Sequence, residues 1–280
     1  MNIVRIGLVF LLILWGHQVR SQELVVYRQV DTVKLYLEIH FPDTVDQNRA
    51  YPAMVFFFGG GWRGGDRSHF QNQAKYLSKR GLVCFLADYR TWSKHQVSPF
   101  ECLKDAKAAI RYVRKHAVDY NIDPNKIIAA GGSAGGHLAA ATALVSGFNH
   151  LNDDRSVSCV PDALVLFNPV FDNGPGGYGY ERVSEAYQQF SPLHNLKFGA
   201  PPTLIFLGTE DDLVPVETAE YYCKVMEKVG SQCELKLYQG EGHGFFNYLN
   251  FENYRQTMLE TDDFLQSLGY IQPFPEVSIE

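Results

Sequence analysis

A glycine-rich segment near the middle of the chain surrounds one serine whose setting is typical of a catalytic nucleophile. Residues 131–135 read Gly-Gly-Ser-Ala-Gly, which fits the pattern G-x-S-x-G with Ser133 at its centre. In this pattern a strand turns abruptly into a helix, and small neighbours relieve the crowding around a strained serine. The strand-like run IIAA precedes the segment and the helix-like run HLAAATALV follows it. We predict that Ser133 is a nucleophile at a helix N-terminus, where partial positive charge favours an anionic intermediate. The alternative is a glycine-rich turn without a nucleophile.

A second glycine run follows an apolar, strand-like segment and ends at Trp62. Acyl transfer requires backbone N–H groups that point at the oxygen on which negative charge develops, and glycines let the backbone approach that atom. We expect the N–H groups of Gly60, Gly61 and Ala134 to form this oxyanion hole. A phosphate-binding loop is the competing interpretation, and it fails because the G-x-x-x-x-G-K-[ST] pattern is absent.

A serine nucleophile needs a base, and His243 in the loop EGHGF is the candidate. Histidine accepts and returns a proton near neutral pH. An orienting carboxylate is expected between the serine and the histidine in chain order, and the loop GTEDDLVP offers Glu210, Asp211 and Asp212. The residues alone leave this choice open. An acid without a catalytic role would be a solvated charge or a helix N-cap, and the latter suits Asp212 ahead of a helix predicted from 216.

Four other polar residues receive structural interpretations. His137, in the helix after the serine, is expected to pack or to form a hydrogen bond, and His194 is expected to be structural or to line the pocket. Asp88 and Arg90 are expected to form an internal ion pair. No spacing of His, Cys and acidic residues indicates a metal site, and no cofactor is expected.

The elements that must position these residues alternate between β-type and helical patterns, which predicts βαβ units and a mostly parallel sheet. An antiparallel pair at 23–29 and 33–41 opens the chain, and the later strands are expected at 53–58, 82–88, 126–130, 163–167, 203–207 and 234–238. Helices are predicted at 99–116, 134–145, 216–229 and 250–268. Residues 171–195 are turn-rich and aromatic, and a connection this long predicts an insertion over the active site. Trp62, Trp92, Tyr178 and Tyr180 are candidates to stack on a substrate ring, with core packing as the alternative.

The N-terminus and the composition indicate an exported globular protein. Residues 1–21 contain a short basic start and an apolar run of about ten residues, which is too short to span a bilayer and predicts a cleaved signal peptide. An uncleaved anchor or a buried strand is the alternative. Residues 22–280 then form the mature domain, in a secreted or periplasmic location. The net charge of −6, without a basic patch, argues against a nucleic-acid partner.

The chain contains five cysteines, so at least one stays free or pairs between chains. Cys84 and Cys102 lie in apolar contexts and are expected to be small buried hydrophobes. Cys223 and Cys233 lie near the end of a helix and the start of the next strand, and in an oxidising compartment they are candidates for a disulfide.

Six segments together resemble a known family, in the right order and over nearly all of the mature chain: FFFGGGW, DYR, PFECLKDAKAAIRYVR, GGSAGGH, GTEDDLVP and GEGHGFF. They resemble the α/β-hydrolase superfamily, in particular the hormone-sensitive-lipase-like esterases, and within them the secreted acetyl-xylan/feruloyl esterase-like group. The resemblance implies an α/β-hydrolase fold and places the triad acid on Asp211. It also implies an H-G-G-G-W oxyanion loop, from which this chain departs with Phe58 in place of the histidine. The backbone donors survive that change, while any hydrogen bond that holds the loop is put in question.

The residues and the resemblance together predict a secreted serine carboxylesterase with Ser133, Asp211 and His243 as its triad. The resemblance implies acetyl or feruloyl esters of plant or algal polysaccharide as substrates. Two alternatives are a peptidase or amidase of the same fold and a non-catalytic binding protein of hydrolase fold. After signal cleavage no stable membrane insertion is expected.

Overall fold

The computed structural model describes residues 22–46, 48–274 and 277–279, and the predicted signal peptide at 1–21 lies outside these residues. The strands are β1 (Gln22–Val30), β2 (Val33–His40), β3 (Tyr51–Phe57), β4 (Val83–Ala87), β5 (Ile122–Gly132), β6 (Ala163–Phe167), β7 (Thr203–Gly208) and β8 (Cys233–Tyr238). They form an eight-stranded sheet in the order β1-β2-β4-β3-β5-β6-β7-β8. Strands β3 to β8 are parallel, and β2 pairs antiparallel with both β1 and β4. The carboxyl ends of six strands therefore meet at one edge, where ligands bind in open α/β sheets.

Helices cover both faces of this sheet. They are α1 (Gln71–Lys79), α2 (Trp92–His95), α3 (Pro99–Lys115), α4 (Ala134–Leu144), α5 (Tyr180–Val183), α6 (Tyr187–Phe190), α7 (Val216–Lys228) and α8 (Phe251–Ser267). Short 3-10 turns occupy Arg67–Phe70, Ser184–Ala186 and Pro192–Asn195. Because α2, α5 and α6 have four residues each, the long helices provide most of the cover.

Two apolar cores lie on opposite faces of the sheet because successive strand residues point to opposite sides. In β3, Val55 and Phe57 pack in the core that contains α3, α4 and α7. Met54 and Phe56 pack in the other core, with α1 and α8. Both faces of the central strands are thus buried, which explains why the run AMVFFF is apolar without alternation.

The α/β-hydrolase architecture predicted from the sequence is confirmed, and the boundaries of its main elements agree within a few residues. Strand β5 is longer than the predicted 126–130, because it begins at Ile122 and ends at Gly132. Helix α1 was not predicted, although its buried residues Ala74, Tyr76 and Leu77 contribute to the second core. Residues 171–195 contain α5, α6 and two 3-10 turns.

The predicted ion pair between Asp88 and Arg90 is wrong. The guanidinium of Arg90 lies 2.8 Å from the carboxylate of Asp105 and 3.1 Å from that of Glu101, both on α3. Asp88 instead pairs with Arg67 at 3.0 Å. The reason is that Arg90 faces α3, where Asp105 is fully buried and both of its oxygens accept from the same guanidinium, while Asp88 faces the 3-10 turn.

The cysteines agree with their predicted roles. Cys223 and Cys233 form a disulfide that joins α7 to β8, with their Cα atoms 5.2 Å apart. Cys84 and Cys102 are free and buried, and burial raises the pKa of both thiols well above the ordinary range. Both thiols therefore stay protonated at neutral pH, and that of Cys102 donates to the carbonyl of Arg90 at 3.1 Å.

Candidate active site

The turn between β5 and α4 holds Ser133 in a backbone conformation that few residues adopt. Its φ of 54° and ψ of −120° lie outside the helical and extended regions. Its N–H donates to the carbonyl of Phe167 at 2.9 Å, which ties the turn to β6. A Cβ atom on Gly135 would lie 2.1 Å from the carbonyl oxygen of Phe57, so only glycine allows α4 to approach the end of β3 this closely. The serine hydroxyl is therefore presented at the carboxyl edge of the sheet.

The imidazole of His243 connects Ser133 with Asp211. The Ser133 hydroxyl lies 3.0 Å from Nε2 of His243, and a carboxylate oxygen of Asp211 lies 2.8 Å from Nδ1. Because a carboxylate only accepts hydrogen bonds, Nδ1 carries the proton and Nε2 is left to accept from the serine hydroxyl. This is the tautomer that a general base acting on serine requires.

The environment of Asp211 keeps its carboxylate ionised. Burial raises the pKa of this group, but hydrogen bonds from His243 and from the backbone N–H groups of Leu213 and Val214 outweigh burial and hold the pKa below its ordinary value. Its side chain is fully buried, whereas that of His243 is 23% exposed. A fixed negative charge behind a partly open imidazole stabilises the imidazolium that proton transfer creates.

The two neighbouring acids do not reach the imidazole. Glu210 and Asp212 are exposed, and no hydrogen bond to His243 from either is found within the described ranges. The predicted N-cap role of Asp212 is wrong, since Pro215 occupies the N-cap of α7 and no side chain caps this helix. The turn from 211 to 214 explains this outcome, because it directs Asp211 inward and leaves its neighbour in solvent.

The loop after β3 brings backbone N–H groups beside Ser133. A Cβ atom on Gly59 would lie 3.5 Å from Cβ of Ser133, so this loop contacts the nucleophile directly. Gly60 and Gly61 have φ values of 117° and 61°, which favour glycine. In the part of the chain that the structure describes, the N–H groups of Gly60, Gly61 and Ala134 have no hydrogen-bond acceptor. They are available to a ligand, as expected of an oxyanion hole.

Phe58, which replaces the family histidine, holds the loop by packing. Its ring stacks on Tyr89 with centroids 3.9 Å apart, and the hydroxyl of Tyr89 donates to the carbonyl of Phe58 at 2.8 Å. The insertion holds the next part of the loop, because the guanidinium of Arg182 donates to the carbonyl of Gly61 at 2.8 Å. The oxyanion loop is thus supported on both sides without the family histidine.

The predicted substrate-stacking role of Trp62 is wrong. The residue is only 1% exposed, and its indole packs edge-on against His137 and beside Phe190 and Tyr178. It fills the space between α4 and the insertion, so neither face of the ring is free. His137 is itself completely buried and has the predicted packing role.

Tyr178, Tyr180 and His194 lie in the insertion, whereas Trp92 lies on α2. A Cβ atom on Gly61 would lie 2.6 Å from the hydroxyl oxygen of Tyr178, so the side chain of Tyr178 adjoins the oxyanion loop. The Tyr180 hydroxyl donates to Glu185 at 3.2 Å within the insertion, and no contact with the triad is found among the described residues. His194 is half-buried and lies 3.8 Å from the carboxylate of Asp172.

Asn168 is a site residue that the sequence analysis missed. It follows β6 with a φ of 36°, and its amide nitrogen lies 2.8 Å from each ring nitrogen of His243. The amide therefore lies against the imidazole and limits its movement. The signal that would have identified it is a polar residue directly after a buried strand, at the edge where Ser133 and Asp211 also lie.

Two cavities adjoin the site. One of about 370 Å³, which we call the Trp92 cavity, is lined by Gly61, Trp62, Arg63, Trp92, Val97, Ser98, Pro99, Glu181 and Arg182. Trp62 borders it with only 1% of its surface exposed, whereas Trp92 is 49% exposed. The second, of about 390 Å³, lies between Tyr178 of the insertion and the 212–215 loop.

Neither a metal-binding cluster nor a membrane-spanning helix is present in residues 22–46, 48–274 and 277–279. No cluster of three or more His, Cys, Asp or Glu side chains is arranged to hold a metal ion there. Within the same ranges, no helix combines the length and apolarity needed to cross a lipid bilayer.

Family models and curated proteins match large parts of this chain. Residues 37–164 match the BD-FAE family model, and residues 163–265 match the dienelactone hydrolase family model. A curated acetylxylan esterase from Xylanibacter ruminicola is 28% identical over 79% of this chain and 47% of its own length. A probable isoprenylcysteine alpha-carbonyl methylesterase from Arabidopsis thaliana is 26% identical over 69% of this chain and 45% of its own length. The chain thus spans about half the length of the curated relatives it matches.

The solved structures give a fuller match. Thermogutta terrifontis esterase 2 phosphorylated by paraoxon is 40% identical, with a TM-score of 0.86 over 92% of this chain and 98% of that one. The same esterase phosphonylated by sarin is 39% identical, with a TM-score of 0.88 and equal coverage. This chain therefore belongs to the α/β-hydrolase esterases of the hormone-sensitive-lipase-like type, a family of serine-dependent carboxylic ester hydrolases.

Proposed function

We propose that this protein is a serine carboxylesterase that works through an acyl-enzyme. The observation that carries the proposal is the continuous hydrogen-bonded chain from the Ser133 hydroxyl through His243 to Asp211, with separations of 3.0 Å and 2.8 Å. The loop with the free N–H groups of Gly60 and Gly61 meets the serine at Gly59, and Ala134 directly follows Ser133 in the chain. Nucleophile, base, orienting acid and oxyanion donors are therefore present together.

Each step of ester cleavage has a group to perform it. Ser133 Oγ attacks the ester carbonyl while its proton moves to Nε2 of His243, and the carbonyl oxygen becomes an anion facing the N–H groups of Gly60, Gly61 and Ala134. The C–O bond to the alcohol then breaks, and the imidazolium returns the proton to the departing alkoxide. Water, deprotonated by His243, attacks the acyl-enzyme and releases the carboxylic acid and free serine.

The test of this mechanism is removal of the nucleophile. Ser133→Ala should lower kcat for p-nitrophenyl acetate by about 10⁴-fold or more. Only the residual activity that the oxyanion hole alone supports should remain. Ser146→Ala, at an exposed serine just beyond α4, is the matched control and should retain full activity. Turnover by Ser133→Ala equal to that of the control would refute the assignment.

We further propose that the natural substrates are acetyl or feruloyl esters carried on polysaccharide. The acetylxylan esterase relative supports this substrate class. The Trp92 cavity also supports it, because Trp92 is 49% exposed beside the charged groups of Arg63, Glu181 and Arg182. An open aromatic face flanked by hydrogen-bonding groups suits a sugar or aryl ring.

The substrate proposal is tested on Trp92. Trp92→Ala should raise KM for acetylated or feruloylated xylan several-fold and leave p-nitrophenyl acetate hydrolysis unchanged, because we expect the small ester to occupy the site at Ser133 and Gly61 without contacting Trp92. Phe198→Ala removes another exposed aromatic, 88% exposed and outside the cavity wall, and is the control. Failure of the wild-type enzyme to release acetate or ferulate from these polymers would end the substrate proposal.

We also propose that the protein is exported. The segment at 1–21 has the sequence features of a signal peptide, and the disulfide between Cys223 and Cys233 suits an oxidising compartment. N-terminal sequencing of protein from the periplasm or the medium should begin close to residue 22. Recovery of the protein only from the cytoplasm, with residue 1 retained, would contradict the proposal.

A further inference from the structure

A histidine outside the triad connects the oxyanion loop with the loop that carries the catalytic base. His69 lies on the 3-10 turn Arg67–Phe70. Its Nδ1 accepts the backbone N–H of Gly59 at 3.1 Å, and its Nε2 lies 2.8 Å from the amide oxygen of Asn247. Asn247 in turn donates its amide N–H to the carbonyl of Gly244, the residue after His243, at 2.7 Å. These contacts form a bridge across 178 residues of sequence.

The protonation state of His69 follows from its partners. Because Nδ1 accepts a hydrogen bond from the backbone, the ring proton is on Nε2. The amide of Asn247 has the matching orientation, since its nitrogen is already used by Gly244 and its oxygen faces the ring. Burial lowers the pKa of His69, so the ring is neutral at neutral pH. Phe70 and Phe246 pack against it, with ring centroids 4.7 Å and 5.6 Å away.

The bridge meets the catalytic machinery at both ends. A Cβ atom on Gly59 would lie 3.4 Å from Cε1 of His69 and 3.5 Å from Cβ of Ser133, so this part of the loop is held between the two side chains. Because the Gly59 N–H is taken by His69, the loop presents the next two N–H groups to a substrate. At the other end, the bond to Gly244 restrains the peptide that follows the base.

We propose that His69 is a positioning residue that aligns the oxyanion donors of Gly60 and Gly61 with His243 through Asn247. Among the described residues it has no hydrogen bond to a triad side chain, so it acts through the backbone of the two loops. It adds a side-chain hydrogen bond at Gly59 to the support that the loop receives from Tyr89 and Arg182. This inference rests on the proposed esterase function.

The first test separates catalysis from binding. His69→Ala should lower kcat for p-nitrophenyl acetate by about ten- to a hundredfold, because a displacement of about 1 Å in the donors costs this much. KM should change by less than about threefold, since ground-state contacts are retained. In His69→Asn, the amide oxygen can replace Nδ1 as acceptor for Gly59, but no group replaces Nε2 toward Asn247, so kcat should recover only to the level of Asn247→Ala. Melting temperatures of all variants show whether each is folded.

The second test asks whether His69 and Asn247 act as one unit. Asn247→Ala alone should also lower kcat, and the double variant should lose little more than the worse single variant, because removing either partner breaks the same bridge. His95→Ala is the matched control, since Nδ1 of His95 also accepts a backbone N–H, that of Thr91, at 3.1 Å, and neither residue belongs to the triad or the bridge. Its kcat should equal that of the wild type.

Three results would overturn the inference: wild-type kcat in His69→Ala, a rise confined to KM, or fully additive losses in the double variant. Each of these presupposes an active wild-type enzyme and leaves the esterase function intact. If the wild-type protein hydrolyses no ester, or if Ser133→Ala remains active, the proposed function itself has failed.

Discussion

Replacing Gly135 with alanine offers a sharp test of how the nucleophile and the oxyanion loop are held together. The substitution adds one methyl group to the first turn of α4, where alanine is a better helix former than glycine by about 1 kcal/mol. That methyl carbon would lie 2.1 Å from the carbonyl oxygen of Phe57 and 2.4 Å from that of Phe58. Both distances fall short of ordinary van der Waals contact by roughly 1 Å or more.

The clash must move either the serine turn or the start of the oxyanion loop. An oxyanion donor works at 2.7–3.1 Å from its oxygen, so a displacement of about 1 Å removes most of its benefit. We expect kcat for p-nitrophenyl acetate to fall by about 10²-fold, equivalent to about 3 kcal/mol of transition-state stabilisation. Because the helix itself tolerates alanine, the protein should remain folded.

The assay is steady-state hydrolysis of p-nitrophenyl acetate, with circular dichroism to confirm folding. Gly147→Ala is the matched control, because a Cβ atom at Gly147 meets nothing within 4 Å. It should have the kcat and KM of the wild type. If Gly135→Ala is as active as Gly147→Ala, the packing of α4 against the end of β3 does not set the geometry of the site.

Three further predictions concern the acid, the disulfide and a buried histidine. Asp211→Asn should lower kcat by up to about 10⁴-fold with little change in KM, because the amide favours the wrong tautomer of His243. Replacing Cys223 and Cys233 with serine should lower the free energy of unfolding by about 2–3 kcal/mol, because they close a loop with a sequence separation of 10. Burial lowers the pKa of His137 to about 3. Between about pH 6.5 and 3 the unfolded chain therefore binds one more proton than the folded chain, and the free energy of unfolding falls as the pH drops through that range. When the pH is lowered from 7 to 5, the free energy of unfolding measured with urea should fall by about 2 kcal/mol less for His137→Asn than for the wild type.

Each of these predictions has a result that would contradict it. Asp212→Asn is the control for the acid, and an equal loss in both variants would show that loop charge, not the bond to His243, is what matters. For the disulfide, unchanged stability of the double serine variant under oxidising conditions would mean that the cross-link contributes nothing. Identical pH dependence of unfolding in His137→Asn and the wild type would show that His137 is not held neutral.

The central part of the fold was predictable because the local signals agree with one another. Apolar runs such as AMVFFF identify the buried strands, and glycines and alanine around Ser133 identify the crowded turn that follows β5. Chain order then restricts the base to the last loop. These features depend on neighbours in sequence, so they can be read without coordinates.

The features that were missed or mistaken depend on distant partners. Asp88 and Arg90 are neighbours in sequence, yet each is paired by an element that only the folded chain brings near. Trp62 is of a residue type that often stacks on substrate rings, but its side chain is buried beneath the insertion and its backbone has a φ of 59°. His69 gave no signal, because one of its bonds is to a backbone N–H and the other is to a residue in the last loop.

The most direct test of the account is to locate the nucleophile chemically. Thermogutta terrifontis esterase 2 has been solved phosphorylated by paraoxon, so the same reagent suits this protein. After treatment with paraoxon, peptide mass spectrometry should find one diethylphosphoryl group on Ser133, with esterase activity lost in proportion to labelling. Modification at another residue with Ser133 unlabelled, or full activity in fully labelled protein, would contradict the proposed mechanism.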